Sequence, residues 1–233
     1  MTLAISLLHE DRIELLSDGA IYEPDGTITE IREKVKVSNR IPMAIQAVGH
    51  APAGDILGTF FIGLTDHYSF DETINLIATM LEKQKGREIP EGKNFGFFIS
   101  GISESLGPCH YFTWSLPVES YEQFDLIRWS GRELGNSSGI TEEEIAAIGI
   151  TEEVYESGAF DFRTYGLPIA EAMRRTKATN FMEPDKPARY IVGGFLQLTT
   201  ITASGTFTEL LQIWPDDEVG KPIDPFATER LAA

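Results

Sequence analysis

The strongest constraint on this chain's fold is the rhythm of its first fifty residues. Apolar runs of strand length follow one another, and turn residues cut each one off before it reaches helix length. Leu3 to Leu8 is almost continuously apolar, "HEDR" turns, and Ile13 to Leu16 is apolar again. "SDGA" and "YEPDGT" turn the chain, "ITEIREKVKVS" alternates apolar and polar residues at period two, and "IPMAIQAVG" ends the series at Gly49. Such a series buries its apolar side chains only by pairing into sheet and laying that sheet on another layer.

After "HAPAGD" the pattern changes. Residues from about Ala53 to Phe61 show mixed periodicity. "SFDETINLIATMLEKQKG" predicts a helix, with Ser69 or Asp71 as its cap, Ile74, Ile77, Ala78 and Leu81 on one face, and Gly86 closing it. "NFGFFISGIS" and "CHYFTWSLPV" predict paired strands. "ITEEEIAAIGITEEVYESG" has helical spacing with a solvated acidic face, and "GLPIAEAMRRTKATN" reads as an amphipathic helix. "RYIVGGFLQLTTITASGTFTELLQIWP" predicts two strands around Ser204-Gly205, and "DDEVGKPIDPF" a loop. No linker and no tandem repeat divides the 233 residues, so 1–233 is expected to be one layered α+β domain.

Charge narrows the partners. At −17 the chain carries no surplus of cations to neutralise a row of phosphates, nor to hold it on anionic lipid. No apolar run reaches membrane-spanning length, and His9-Glu10-Asp11-Arg12 interrupts the N-terminal one too early for a signal peptide. Cys109, the single cysteine, leaves no internal disulfide and is compatible with a reducing, cytoplasmic setting. It reads as a small buried apolar residue. As strand neighbours, Cys109 and His110 point to opposite faces and do not form a thiol–imidazole pair.

Three residues carry a chemical possibility jointly that none carries alone. Removal of Met1 before the small Thr2 leaves an α-amine beside a hydroxyl. That amine titrates at about 8 and can act as base for its own hydroxyl. Retention of Met1 would leave the nitrogen an amide and mask the nucleophile. Asp18 follows Thr2 by sixteen residues and Lys34 follows Asp18 by sixteen. A hairpin of this length returns Asp18 to the start of the first strand. In "EKVKV", alternation puts Lys34 and Lys36 on one face, where a lysine can pair with the aspartate. Taken singly, Thr2 is a common second residue, Asp18 a turn carboxylate and Lys34 a solvated strand lysine. Their shared spacing favours a site.

The stretch from Thr2 to Gly49 resembles the N-terminal part of proteasome β-type subunits, including the bacterial HslV peptidase, among the N-terminal nucleophile (Ntn) hydrolases. The likeness lies in Thr2, "LLSDGA" with Asp18, "EKV" with Lys34 and "AIQAVG" with Gly49. It implies a four-layer αββα sandwich, two antiparallel sheets covered by helices. It implies Thr2 as nucleophile, Asp18 and Lys34 as its charge-relay neighbours, and the Gly49 N–H as oxyanion donor. "IRWSGREL" is similar to the family's Gly-Ser-Gly segment, which would make Ser130 a helper hydroxyl. "RYIVGG" resembles its Ser-Gly-Gly segment, with Val192 in place of the serine and Arg189 in place of the aspartate three residues earlier.

The resemblance further implies a peptide or amide substrate, no metal or organic cofactor, and assembly into a homo-oligomer such as a ring. Two other functions stay open: a catalytically silent assembly or scaffold subunit, and an Ntn amidase acting on a small molecule. Rival constellations are weaker. His50 with Asp55, or with Asp66 and His67, matches no metal-ligand spacing, and "GISESLG" lacks the second glycine and the helix of a nucleophile elbow.

Overall fold

In the computed structural model the described residues are 3–136, 140–179, 185–227 and 230. Strands β1 (Ala4–Leu8) and β2 (Arg12–Asp18) form an antiparallel hairpin, with Leu8 opposite Ile13 and Ala4 opposite Ser17. The turn closes through a bond from the His9 N–H to the Arg12 carbonyl, 2.9 Å. Strands β3 (Ala20–Tyr22) and β4 (Ile28–Ile31) pair only with each other. Strands β5 (Val35–Val37), β6 (Met43–Gly49), β7 (Phe95–Ser103), β8 (Gly107–Trp114) and β9 (Ile127–Trp129) form a five-stranded antiparallel sheet in sequence order. The other large sheet has the order β10 (Glu133–Asn136), β1, β2, β11 (Phe195–Thr202), β12 (Gly205–Ile213).

The two large sheets face each other. Ile13, Leu15 and Ile201 of the first pack with Val35 and Ala44 of the second, and Ala4 and Leu134 pack with Val48, Phe98 and Phe112. Each Val, Leu, Ile or Phe among these, fully buried, contributes about 1.5–3 kcal/mol. Polar groups in this interface are bonded across it. The Ser6 hydroxyl lies 3.1 Å from both the Ser100 hydroxyl and His110 Nδ1, and His110 Nε2 lies 2.9 Å from the Gly131 carbonyl.

Helix α1 (Ala51–Leu64) packs on β6 because Gly54 lets it approach. A Cβ at Gly54 would sit 2.6 Å from that of Ala47. Helix α2 (Phe70–Glu82) begins with a capping box, Ser69 and Glu72, and buries Ile74, Ile77 and Leu81. Helices α3 (Glu142–Ala147) and α4 (Glu152–Glu156) are short. Helix α5 (Phe162–Arg175) lays Phe162, Ile169 and Met173 against Leu16, Leu196 and Leu198 of the first sheet. Among the described residues no helix is long and apolar enough to cross a membrane.

The expected four-layer αββα sandwich is corrected by this architecture. The described residues form twelve strands in three antiparallel sheets and only five helices, so the chain is mostly sheet. Two local causes stand out. The acidic run does not make one long helix; it breaks at Gly149 into α3 and α4, neither of which buries a residue completely. "ITEIREKVKVS" does not make one strand; it divides at residues 32–34 between β4 and β5, which belong to different sheets. Helix α1 occupies the stretch of mixed periodicity, and α5 starts four residues before "GLPIAEAM", where the Asp161 carboxylate caps the Thr164 N–H at 2.8 Å.

Candidate functional site

The β1–β2 register places Asp18 level with Leu3, the first described residue. The Leu3 N–H donates to Asp18 Oδ1 at 3.0 Å, and the Gln46 side-chain amide donates to the Leu3 carbonyl at 3.1 Å. Both backbone polar atoms of Leu3 are thereby held, one from each large sheet. Thr2 itself lies outside the described residues.

Asp18 is fully buried. Lys34 Nζ reaches its Oδ1 at 2.8 Å, with the lysine side chain only 8% exposed. The other carboxylate oxygen accepts from Gly193 N–H at 3.1 Å and Ala20 N–H at 3.3 Å. Because β4 ends at Ile31, the chain crosses between sheets just where Lys34 stands, and this crossing aims it at the end of β2. Burial pushes the Lys34 ammonium below the usual lysine range, and the Asp18 carboxylate opposes that push. Lys36 is not its companion. Lys36 Nζ lies 3.2 Å from Asp55 of α1, which also accepts from Arg32 at 3.0 Å.

Lys34 and Gly49 line a cleft of about 600 Å³, together with Arg32, His50, Asp55 and Arg189. Its volume falls within the range of small-molecule and cofactor sites. His50 caps α1 by accepting from the Ala53 N–H at 3.4 Å, and burial, with Lys93 nearby, holds its imidazole below the ordinary value. It is a structural cap that also forms cleft wall.

The structure brings together Asp18, Lys34 and the start of β1, and sets Gly49 on the same cleft. It does not bring Ser130 there. Ser130 is exposed and follows β9, the edge strand farthest from β5 in the second sheet. At the usual strand spacing, β9 is about 14 Å from β6. The physical reason is that "IRW" pairs with "HYF" of β8, which carries the following serine to the opposite edge. The later serines 137 and 138 follow β10, whose Asn136 pairs with Ala4, but they lie outside the described residues.

Cys109 and His110 remain separate. Burial raises the thiol to about 11, and the imidazole is engaged between the sheets. Val192 is fully buried, so its place at the turn supplies backbone only. Gln46 was legible as the one polar residue in the apolar run "MAIQAV"; no spacing rule connects it to Thr2. No group of three or more His, Cys, Asp or Glu gathers as metal ligands among the described residues. No model of a known protein family matches this chain, and no curated protein matches it.

Proposed function

We propose that this protein is a proteasome-like N-terminal nucleophile hydrolase that cleaves peptide or amide bonds after removal of Met1. One observation carries the proposal. A buried Lys34–Asp18 pair bonds the backbone of Leu3, immediately behind Thr2, at the edge of a cleft. Within it, the Thr2 α-amine takes the proton of its hydroxyl, directly or through a water, and the hydroxyl oxygen attacks the amide carbonyl. The Gly49 N–H receives the oxyanion, and the amine returns the proton to the departing nitrogen. Water then hydrolyses the ester and restores Thr2. In this scheme the Lys34 charge acts on the amine to favour its neutral, basic form. No cofactor enters this scheme, and the proposed setting is the cytoplasm, as a homo-oligomer.

The experiment is to prepare Met-free protein, confirm it by N-terminal mass, and incubate it with small peptide amides. Turnover should rise with pH over a range below the amine's ordinary value of about 8 and vanish in Thr2→Ala. Met-free protein with no turnover and no adduct from a threonine-directed electrophile would overturn the proposal. Buried Val192 and the outlying Ser130 favour a second function, a catalytically silent assembly subunit. Met1 retained on nearly all molecules from the native host would select it. A small-molecule amidase is the third, separated by testing short acyl amides beside peptides.

A further inference from the structure

The segment "WPDDEVG" near the C-terminus has no place in the chemistry above, yet it delivers a buried carboxylate to the turn that holds Asp18. Asp217 is fully buried at the side chain, and Arg174 of α5 is 5% exposed. The guanidinium forks onto both carboxylate oxygens at 2.8 Å each, donates to the Val192 carbonyl at 2.8 Å, and lies 4.8 Å over the Trp214 ring. Asp217 Oδ2 also accepts from the Gly194 N–H at 2.6 Å. A Cβ at Gly193 would meet that oxygen at 2.8 Å, and one at Gly194 would meet Ile31 at 2.8 Å, so both positions require glycine. On the other side of the turn the Gly193 carbonyl accepts from Gly19 and Ala20, and its N–H donates to Asp18.

We propose that Arg174 and Asp217 are positioning residues: they clamp Val192–Gly194 so that the Gly193 N–H holds Asp18 against Lys34 and Leu3. Arg189 stands three residues before Val192, and the carboxylate that accepts the Gly194 N–H comes from Asp217 of the C-terminal segment. The clamp acts through Asp18 and touches no substrate. Its catalytic consequence rests on the hydrolase function proposed above.

The test compares Asp217→Asn with the parent by amide hydrogen exchange and by kinetics of the Met-free protein. Exchange should quicken about tenfold or more at Gly194, Gly193 and Leu3, with Ile99 of β7 unchanged. The Leu3 amide matters most, because it touches Asp18 and not Asp217. In the same variant kcat should fall about tenfold with KM nearly unchanged. Unaltered exchange at Gly193 and Leu3, or an unaltered kcat in folded variant, would overturn the clamp. If Asp217→Asn does not fold, Arg174→Gln with Asp217→Asn removes both charges and is read the same way. A parent without turnover defeats the hydrolase function, while the exchange arm still decides whether the pair holds Asp18.

Discussion

Two buried ion pairs meet at the Val192–Gly194 turn, and their cations differ in what they can do. Lys34 is a compact ammonium, pushed toward neutrality by burial, with one side on the cleft. Arg174 is a planar fork, always charged, sealed beneath Trp214 and engaged with Asp217 and a backbone carbonyl. Each carboxylate accepts a turn N–H, Asp18 from Gly193 and Asp217 from Gly194. Charge and burial alone therefore do not mark a reactive site. Access and a cation able to respond to its surroundings separate the pair proposed for chemistry from the pair that holds the scaffold.

A reciprocal exchange of the two cations separates their roles with the largest expected effect. Lys34→Arg keeps the charge but places a larger, forked group beside Asp18. Turnover of Met-free protein should drop about 10²-fold or more. Arg174→Lys keeps the charge but loses the fork, and should lower kcat less than Lys34→Arg does. Equal losses from both exchanges would erase the distinction. Next comes removal of either cation. Lys34→Ala and Arg174→Ala each strand a buried carboxylate, and each should cost about 3–5 kcal/mol in urea unfolding. A loss below about 1 kcal/mol in either would show that its carboxylate is hydrated in the folded protein.

Much of the Lys34–Asp18 pair was legible beforehand. Hairpin arithmetic returns Asp18 to the start of β1, whereas alternation in "EKVKV" leaves Lys34 and Lys36 on one face and only the resemblance singles out Lys34. The clamp was not legible. Its contacts join residues 174, 192, 194 and 217, and no local period links a helix end to a C-terminal turn. Helix α1 was obscured because its cap is a histidine and its inner face carries Gly54 and Gly58, which signal close packing rather than helix. The division of "ITEIREKVKVS" was hidden because its alternation continues through the crossing between sheets. Ser130 illustrates the limit of a short local likeness: three residues of strand pairing before it decide which edge it reaches.

A smaller effect concerns acid stability, through His110. Burial lowers its value in the folded protein below the ordinary 6.5, so the unfolded chain binds a proton more readily. Stability is then full above about 6.5 and declines as pH falls through that value toward the lower folded one. The slope from this one group is at most about 1.4 kcal/mol per pH unit. His9 and His50 shift in the same direction, so His110→Gln should flatten the profile only in part. An unchanged slope would show that His110 is not proton-linked to folding. The least effect is expected at the exposed Arg163–Glu209 pair, where Arg163→Ala should alter stability by about 0.5 kcal/mol or less. A larger loss there would mean that surface charge matters in this acidic chain as much as its buried pairs.

The buried Lys34–Asp18 pair is proposed to serve a nucleophile at Thr2. Intact mass after exposure of Met-free protein to a peptide electrophile directed at N-terminal threonine decides whether it does. One adduct per chain, absent in Thr2→Ala and greatly slowed in Lys34→Arg, is the predicted result. Folded, Met-free parent that stays at its unmodified mass would contradict it.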